Sequence, residues 1–220
     1  DIKEMKLQMF TNLSHEIRTP LTLVMNPLKK MREAEEDPRQ KELYNLMYRN
    51  SLRILRIVNQ LMDMRKVESG QTQLHFLETD VVYFIKDIMK SFDNLAMSRS
   101  INFTISPEKE ITNLWIDQGN FDKIIFNILS NAFKHTPENG TISISISDLK
   151  KNNGELSSQI KEYVEFVIEN TGSGVSEEHL NKLFDRFFQT DVHDAKVGSG
   201  VGLHLTKKLA ERHNGDRRAF

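Results

Sequence analysis

The stretch FTNLSHEIRTPLT, residues 10–22, sets His15 beside Glu16, with Arg18, Thr19 and Pro20 close behind. An imidazole next to a carboxylate suits nucleophilic chemistry near neutral pH, and it suits a solvated helical face equally well. Far along the chain, NILSNAFKHT places Asn127 and Asn131 one helical turn apart, followed by Lys134 and His135. Amides at i and i+4 share a helix face. Their neutral oxygens can hold a hard Mg²⁺ whose other ligands are phosphates and water. Asn127 sits in an apolar run, where it would otherwise be a half-buried polar group in need of partners. Two glycine clusters complete the set: NTGSGV at 170–175, after a strand, and GSGVGL at 198–203, before a helix. Glycine lets backbone approach a ligand closely, and a helix N-terminus offers unpaired N–H groups to phosphates. Taken singly, either cluster reads first as a flexible loop.

Positioning these groups falls to two regions of different pattern. Met5, Met9, Leu13, Ile17, Leu21, Val24, Leu28 and Met31 recur every three or four residues, which predicts a long amphipathic helix from Ile2 to about Met31. The acidic stretch EAEEDPRQ, 33–40, breaks the pattern. A second run buries Leu43, Met47, Ile54, Val58, Leu61 and Met62 and ends near Ser69 and Gly70. Two such helices form an antiparallel hairpin, and a second copy covers its remaining stripe most simply, giving a four-helix dimer. Pro20 removes a donor and crowds the preceding turn, so the first helix should kink or loosen beside His15.

After Gly70 the pattern turns to short strands alternating with helices. Strands are predicted at Gln73–Phe76, Ile101–Ser106, Asn113–Ile116, Thr141–Asp148 and Tyr163–Asn170. Helices are predicted at Val81–Arg99, Gln118–Lys134 and Gly202–His213. The polar KKNNGELSSQIKE between the last two strands reads as a hairpin loop. The expected class is α+β: residues 1–70 form a helical hairpin and 71–220 a mixed α/β layer.

Composition narrows the function. Hydrophobic residues make up 38% and charged residues 28% of the 220, as in an ordinary globular protein. Thirty basic residues against 31 acidic ones leave no overall field to recruit nucleic acid or an anionic membrane. With no cysteine there is no disulfide, thiol nucleophile or Cys-ligated metal. No apolar run approaches the ~20 residues of a membrane span, and no signal peptide is evident at the start. Neither membrane contact nor nucleic-acid binding is expected of this chain.

Taken together and in order, FTNLSHEIRTPLT, NILSNAFKHT, NTGSGV, LFDRFFQ and GSGVGL resemble the H, N, first glycine, Phe-rich and second glycine boxes of the sensor histidine kinases of two-component systems. The resemblance covers nearly the whole chain. It implies a dimerisation and phosphotransfer hairpin followed by an α/β sandwich ATP-binding domain of the type shared with gyrase, the ATP-driven heat-shock chaperones and the MutL proteins. His15 would be the phospho-acceptor, with Glu16 as general base. Arg18 would either neutralise phosphate charge or make a surface pair, and Thr19 would orient water for dephosphorylating the partner regulator. Asn131, supported by Asn127, would hold Mg²⁺, with Lys134 and His135 near the phosphates. Asn170, Gly172, Gly174 and Val175 of the first glycine box would bind ATP, as would Gly198, Gly200, Val201, Gly202 and Leu203 of the second. Between Thr171 and Ser199 lies the implied lid over ATP, carrying Phe184, Phe187 and Phe188; Phe184 and Phe187 would anchor its base, and Phe187 counts among the nucleotide-binding residues. The phosphoryl group would pass to an Asp of a response-regulator receiver, on a separate chain or the same polypeptide. The setting implied is the cytoplasmic part of a membrane-bound bacterial sensor.

Two departures from the family pattern stand out. The first glycine box usually opens with Asp, where this chain has Asn170. An amide can accept from the adenine amine and donate to the adjacent ring nitrogen, and by rotating it also suits guanine. Weaker ATP affinity and poorer discrimination against GTP are therefore expected. After ERHNG the family continues into two closing strands, where DRRAF stands here. Either the sequence is cut short of those strands or the domain lacks them, which would leave a sheet edge uncovered and the second domain less stable. The alternative to an active kinase is a degenerate, non-catalytic module of the same fold.

Overall fold

The N-terminal apolar stripe folds into helix α1 (Ile2–Ala34) and its partner into α2 (Pro38–Glu68). Pro38 opens α2 with the φ a first helical residue needs, and the Asp37 carboxylate caps it by accepting from the Arg39 N–H at 3.0 Å. Helix α1 runs unbroken through both Pro20 and Pro27; the expected loosening does not interrupt it. The computed structural model describes residues 2–70, 73–152, 160–188 and 200–219. Leu28, Val58 and Met62 are buried, while Leu43, Met47 and Ile54, assigned to the buried side from sequence, are about half exposed. In a single hairpin each helix has one neighbour, so only part of a wide apolar stripe is covered. Leu23 and Val24 of α1 are exposed as well.

Four of the five predicted strands form where expected, to within a few residues: β2 (Asn102–Pro107), β3 (Asn113–Ile116), β4 (Thr141–Asn152) and β5 (Ile160–Asn170). The first is displaced. Strand β1 is Leu77–Asp80, not 73–76, because the His75 N–H goes to the Asp117 carboxylate at 2.9 Å instead of a strand neighbour. Strand β1 pairs antiparallel with β3, Leu77 opposite Ile116, in a two-stranded sheet. A second sheet has the order β2-β4-β5, with β2 and β4 parallel and β4 and β5 antiparallel. Strands β4 and β5 extend into both ends of the polar insertion, whose residues 153–159 lie outside the described ones.

The helix predicted at 81–99 is two helices, α3 (Val81–Lys90) and α4 (Asp93–Ser98). Ser91 and Phe92 bond back three residues, to Ile88 and Met89, which tightens the turn. The break drops Phe92 into the core, where its ring stacks on Phe133 at 5.0 Å. Phe133 meets Phe103 edge-on at 5.0 Å from the sheet side. Helix α5 (Gln118–His135) is the crossover between the parallel strands β2 and β4, and its Ile125, Leu129 and Phe133 are at most 2% exposed. In β4 the alternation of TISISIS sends Ile142, Ile144 and Ile146 into this core. Helices α6 (Glu177–Leu180), not foreseen from sequence, and α7 (Gly202–Arg212) complete the chain. Met64 and Val67 at the end of α2 belong to the same core, so the hairpin is packed directly onto the second region.

Asp117 holds the start of α5. Its carboxylate accepts from the N–H groups of Asn120 (2.9 Å) and His75 (2.9 Å). Burial pushes the carboxyl's pKa up, and the two backbone donors outweigh it, leaving the group below the ordinary carboxylate value. A depressed folded pKa means the contribution is complete above the unfolded value and lost as pH falls through the folded one. Urea denaturation between pH 7 and pH 3 should therefore show an acid loss of stability that is shallower in Asp117→Asn. Equal slopes would remove Asp117 from the account.

Candidate functional site

Helix α5 presents Asn127, Asn131, Lys134 and His135 toward its C-terminal end, on neighbouring turns. Asn127 and Asn131 are half-buried. The Asn127 amide donates to the Gly202 carbonyl at 3.4 Å, joining α5 to the first residue of α7. This partner meets the polar requirement noted in the sequence and makes Asn127 a brace for the second glycine box. Arg99 closes the end of α5 by donating to the carbonyls of Phe133 and Thr136. Beside it, Arg99, Lys134, Pro137 and Glu138 line an open cleft of about 900 Å³.

The first glycine box leaves the end of β5. Asn170 is exposed and in register with Ile142, and the Thr171 N–H donates to the Thr141 carbonyl at 2.9 Å. The Thr171 hydroxyl accepts from the Thr141 N–H at 2.8 Å, locking the strand end. Gly172 then passes so close to α5 that a Cβ there would lie 2.6 Å from the His135 carbonyl oxygen. Gly174, with φ +67°, and Val175 follow at the surface. The first glycine box and the C-terminal turn of α5 are thus in contact.

The second box is described from Gly200 onward; Gly198 and residues 189–199 lie outside the described ones. Gly200 has φ +65°, and a Cβ there would lie 2.8 Å from the Phe187 backbone. Its carbonyl accepts from the Phe187 N–H at 3.0 Å. Val201 is fully buried, Leu203 is half-buried, and Gly202 begins α7. The three Phe residues of the implied lid base differ in setting. Phe184 is half-buried with Arg217 over its ring at 5.1 Å, whereas Phe187 anchors through its backbone and leaves its ring 58% exposed. Phe188 leans on His179 at 5.5 Å between ring centres.

On the hairpin, His15 belongs to α1, and its side chain lies outside the described ones. Glu16 and Thr19 are exposed. Arg18 donates to the side-chain carbonyl of Asn59 of α2 at 2.8 Å. A group of hairpin residues absent from the sequence reading faces the second region. Gln60 lies 3.8 Å from the Cβ position of Gly202, Asp63 pairs with Lys123 of α5 at 3.0 Å, and Glu68 pairs with Arg186. The Val67 carbonyl accepts from Arg212 at 3.1 Å. Charged residues at helical spacing carry no mark that separates such contacts from a solvated face. The described part of the second glycine box consequently lies between α5 and the hairpin.

Among the described residues no cluster of three His, Asp or Glu side chains could hold a metal ion. No helix there is long and apolar enough to cross a membrane.

Two family models match the chain. Residues 5–70 match the His Kinase A (phospho-acceptor) domain, and residues 116–219 match the histidine kinase-, DNA gyrase B- and HSP90-like ATPase. Histidine kinase P4 of Formosa agariphila is 35% identical over 221 residues, covering 98% of this chain and 15% of the relative. Hybrid signal transduction histidine kinase D of Dictyostelium discoideum is 31% identical over 220 residues, covering 98% of this chain and 14% of the relative. This chain therefore spans about one seventh of the length of these curated relatives. Among solved structures, full-length ShkA in complex with AMPPNP has a TM-score of 0.73 at 22% identity, over 93% of this chain and 40% of that one. ThkA in complex with the response regulator TrrA has a TM-score of 0.62 at 23% identity, over 97% of this chain and 58% of that one. At these identities the two structures show the fold.

Proposed function

Since the chain belongs to the histidine kinase family, we propose that it is an ATP-dependent protein-histidine kinase core, divided near residue 70 into a phosphotransfer hairpin and an ATP-binding domain. One observation carries the proposal: the second glycine box is braced by Asn127 of α5 on one side and abuts Gln60 of the hairpin on the other. A nucleotide held there lies beside the helices that carry the acceptor. His15 is the acceptor nucleophile, and Glu16 takes its proton. The γ-phosphoryl group moves in line to the imidazole, the protein contributing position and charge stabilisation. It then passes to an Asp of a response-regulator receiver. The exposed Leu23, Val24, Leu43, Met47 and Ile54 support pairing of two hairpins into a four-helix dimer. The proposed setting is the cytoplasmic part of a larger sensor.

The donor set fits Mg²⁺-ATP. With no acidic cluster among the described residues, a metal here relies on neutral amide oxygen and on the phosphates themselves, which suits Mg²⁺. Asn131 is the amide for that role, supported by Asn127, whose bond to the Gly202 carbonyl uses Nδ2 and not the Oδ1 that would face a cation. Bound Mg²⁺ would neutralise developing phosphate charge; Lys134 and His135, at the same end of α5, would hold phosphate oxygens.

Incubation with γ-labelled ATP and Mg²⁺ tests the reading. Acid-labile, base-stable phosphate on the protein is the expected result, and its absence sinks the kinase assignment. Base recognition gives a second test at Asn170. Its amide serves adenine and guanine alike, so Asn170→Asp should sharpen selectivity for ATP over GTP at least ~5-fold, within the ~1–3 kcal/mol worth of a bidentate base contact. Competition titrations on both proteins measure it. Unchanged selectivity would place the base away from residue 170.

A further inference from the structure

We propose that Glu68 is a positioning residue for the phosphotransfer step, clamping the base of the nucleotide lid and the first turn of α7 to the acceptor hairpin at a fixed height relative to His15. The proposal rests on the kinase reading and adds to it the arrangement in which donor and acceptor meet.

The Arg18–Asn59 bond fixes the register of the antiparallel helices. Three residues back along α1, His15 comes level with about Met62 of α2. Glu68 is six residues further, ~9 Å along the axis at 1.5 Å per residue. Its carboxylate meets three side chains. One oxygen takes the Arg186 guanidinium and stands 4.0 Å from His204 Nε2, and the other stands 3.8 Å from Arg65 Nη1. Arg186 lies in the segment after α6 that forms the base of the proposed lid, and His204 lies in the first turn of α7. His204 is itself a bridge, since its Nδ1 is 3.0 Å from the Phe184 carbonyl and donates to it. That tautomer leaves Nε2 unprotonated in the neutral ring. The His204 side chain is only 13% exposed, and Nε2 is buried without a hydrogen-bond partner, turned toward Glu68. A buried nitrogen left unbonded is costly, and this one faces the Glu68 carboxylate at 4.0 Å.

The other ties across this junction differ in kind. Asp63–Lys123 and Val67–Arg212 join α2 to α5 and α7 without touching the lid base. Met64 and Val67, 2% and 8% exposed, already attach the hairpin through the apolar core. A partly exposed ion pair adds little to such an attachment. What Glu68 adds is direction: among the described residues its carboxylate joins α2 to the lid base through Arg186 and faces His204 of α7 at 4.0 Å.

The test uses the whole chain with Glu68→Gln, Arg186→Glu and the exchanged pair Glu68→Arg/Arg186→Glu. Autophosphorylation kcat, the KM for ATP and nucleotide binding by displacement are measured for each. The chain has no cysteine, so Lys66→Cys/Lys182→Cys can carry spin labels that report the distance from hairpin to lid base. Each single change should lower kcat about 10-fold at unchanged KM and broaden the distance distribution; the exchanged pair should recover at least half of kcat and narrow the distribution again. Single variants with parental kcat overturn the proposal, as does an exchanged pair no better than the singles. A wild-type protein that takes no label fails the kinase reading instead. Failure of the clamp shows separately, as identical distance distributions in wild type and Glu68→Gln.

Discussion

Replacing His15 by Gln is expected to abolish the acid-labile phosphate and to leave nucleotide affinity unchanged. Glutamine keeps a polar side chain of similar reach and a helix propensity at least as good as that of histidine, so α1 is retained. It offers an amide, with no nitrogen lone pair able to attack phosphorus. The nucleotide elements, α5, the two glycine boxes and the start of α7, contain none of α1. Residual label would have to sit on another of the seven histidines. Of these, only His213 is shown with both ring nitrogens engaged among the described residues. His204 and His213 are committed to the Phe184 and Leu209 carbonyls through Nδ1, and His213 Nε2 accepts from the Asp117 N–H at 3.2 Å. His179 contacts the Ser176 hydroxyl at 3.1 Å. Phosphate retained in His15→Gln would remove His15 from the mechanism. Loss of nucleotide binding along with the label would mean that the substitution disturbs the fold.

A second large effect is expected from one added methyl group. Gly172→Ala should weaken ATP binding at least ~10-fold while the protein stays folded, with a stability loss of about 1–3 kcal/mol, typical of an overpacked site. The new Cβ would meet the His135 carbonyl oxygen at 2.6 Å, and that neighbour is backbone at the end of a helix, unable to swing aside as a side chain would. Gly172 has no left-handed φ to be strained, so the whole effect comes from separating the first glycine box from the end of α5. The family resemblance assigns both to nucleotide binding. Displacement titration and thermal denaturation measure the two quantities, and an affinity equal to the parent's would mean that the box does not contact the ligand.

How much of this was legible in the sequence depends on the range of the forces involved. The hairpin, helix α5 and the Ile142–Ile146 alternation follow from periodicity, because each element carries its own apolar face. Strand β1 was misplaced by four residues because a side chain outside the local window, Asp117, claims the His75 N–H. The split of α3 from α4 turns on the fit of Phe92 against Phe133, a contact between residues 41 positions apart. In the site, Asn127 was recognised as needing a partner, but the Gly202 carbonyl could be identified only once α5 and α7 were placed together. Glu68, Arg186 and His204 gave no signal at all. Each is an ordinary residue on its own element, and their meaning lies in the angle at which the hairpin meets the second region.

The hydrogen bond between the Phe187 N–H and the Gly200 carbonyl has a consequence for how such proteins diversify. It holds together Phe187 and Gly200, the residues that flank 188–199. A chain closed in this way tolerates changes in length well, since doubling the number of residues between fixed ends costs only ~0.6 kcal/mol in closure entropy. The neck is far less permissive. Phe187 occupies a left-handed conformation, φ +63°, and Gly200 has no room for a side chain. Insertions are therefore expected to accumulate within the segment and to stop at its two ends. The same neck offers a graft point at which a foreign reporter sequence can be hung without moving α7.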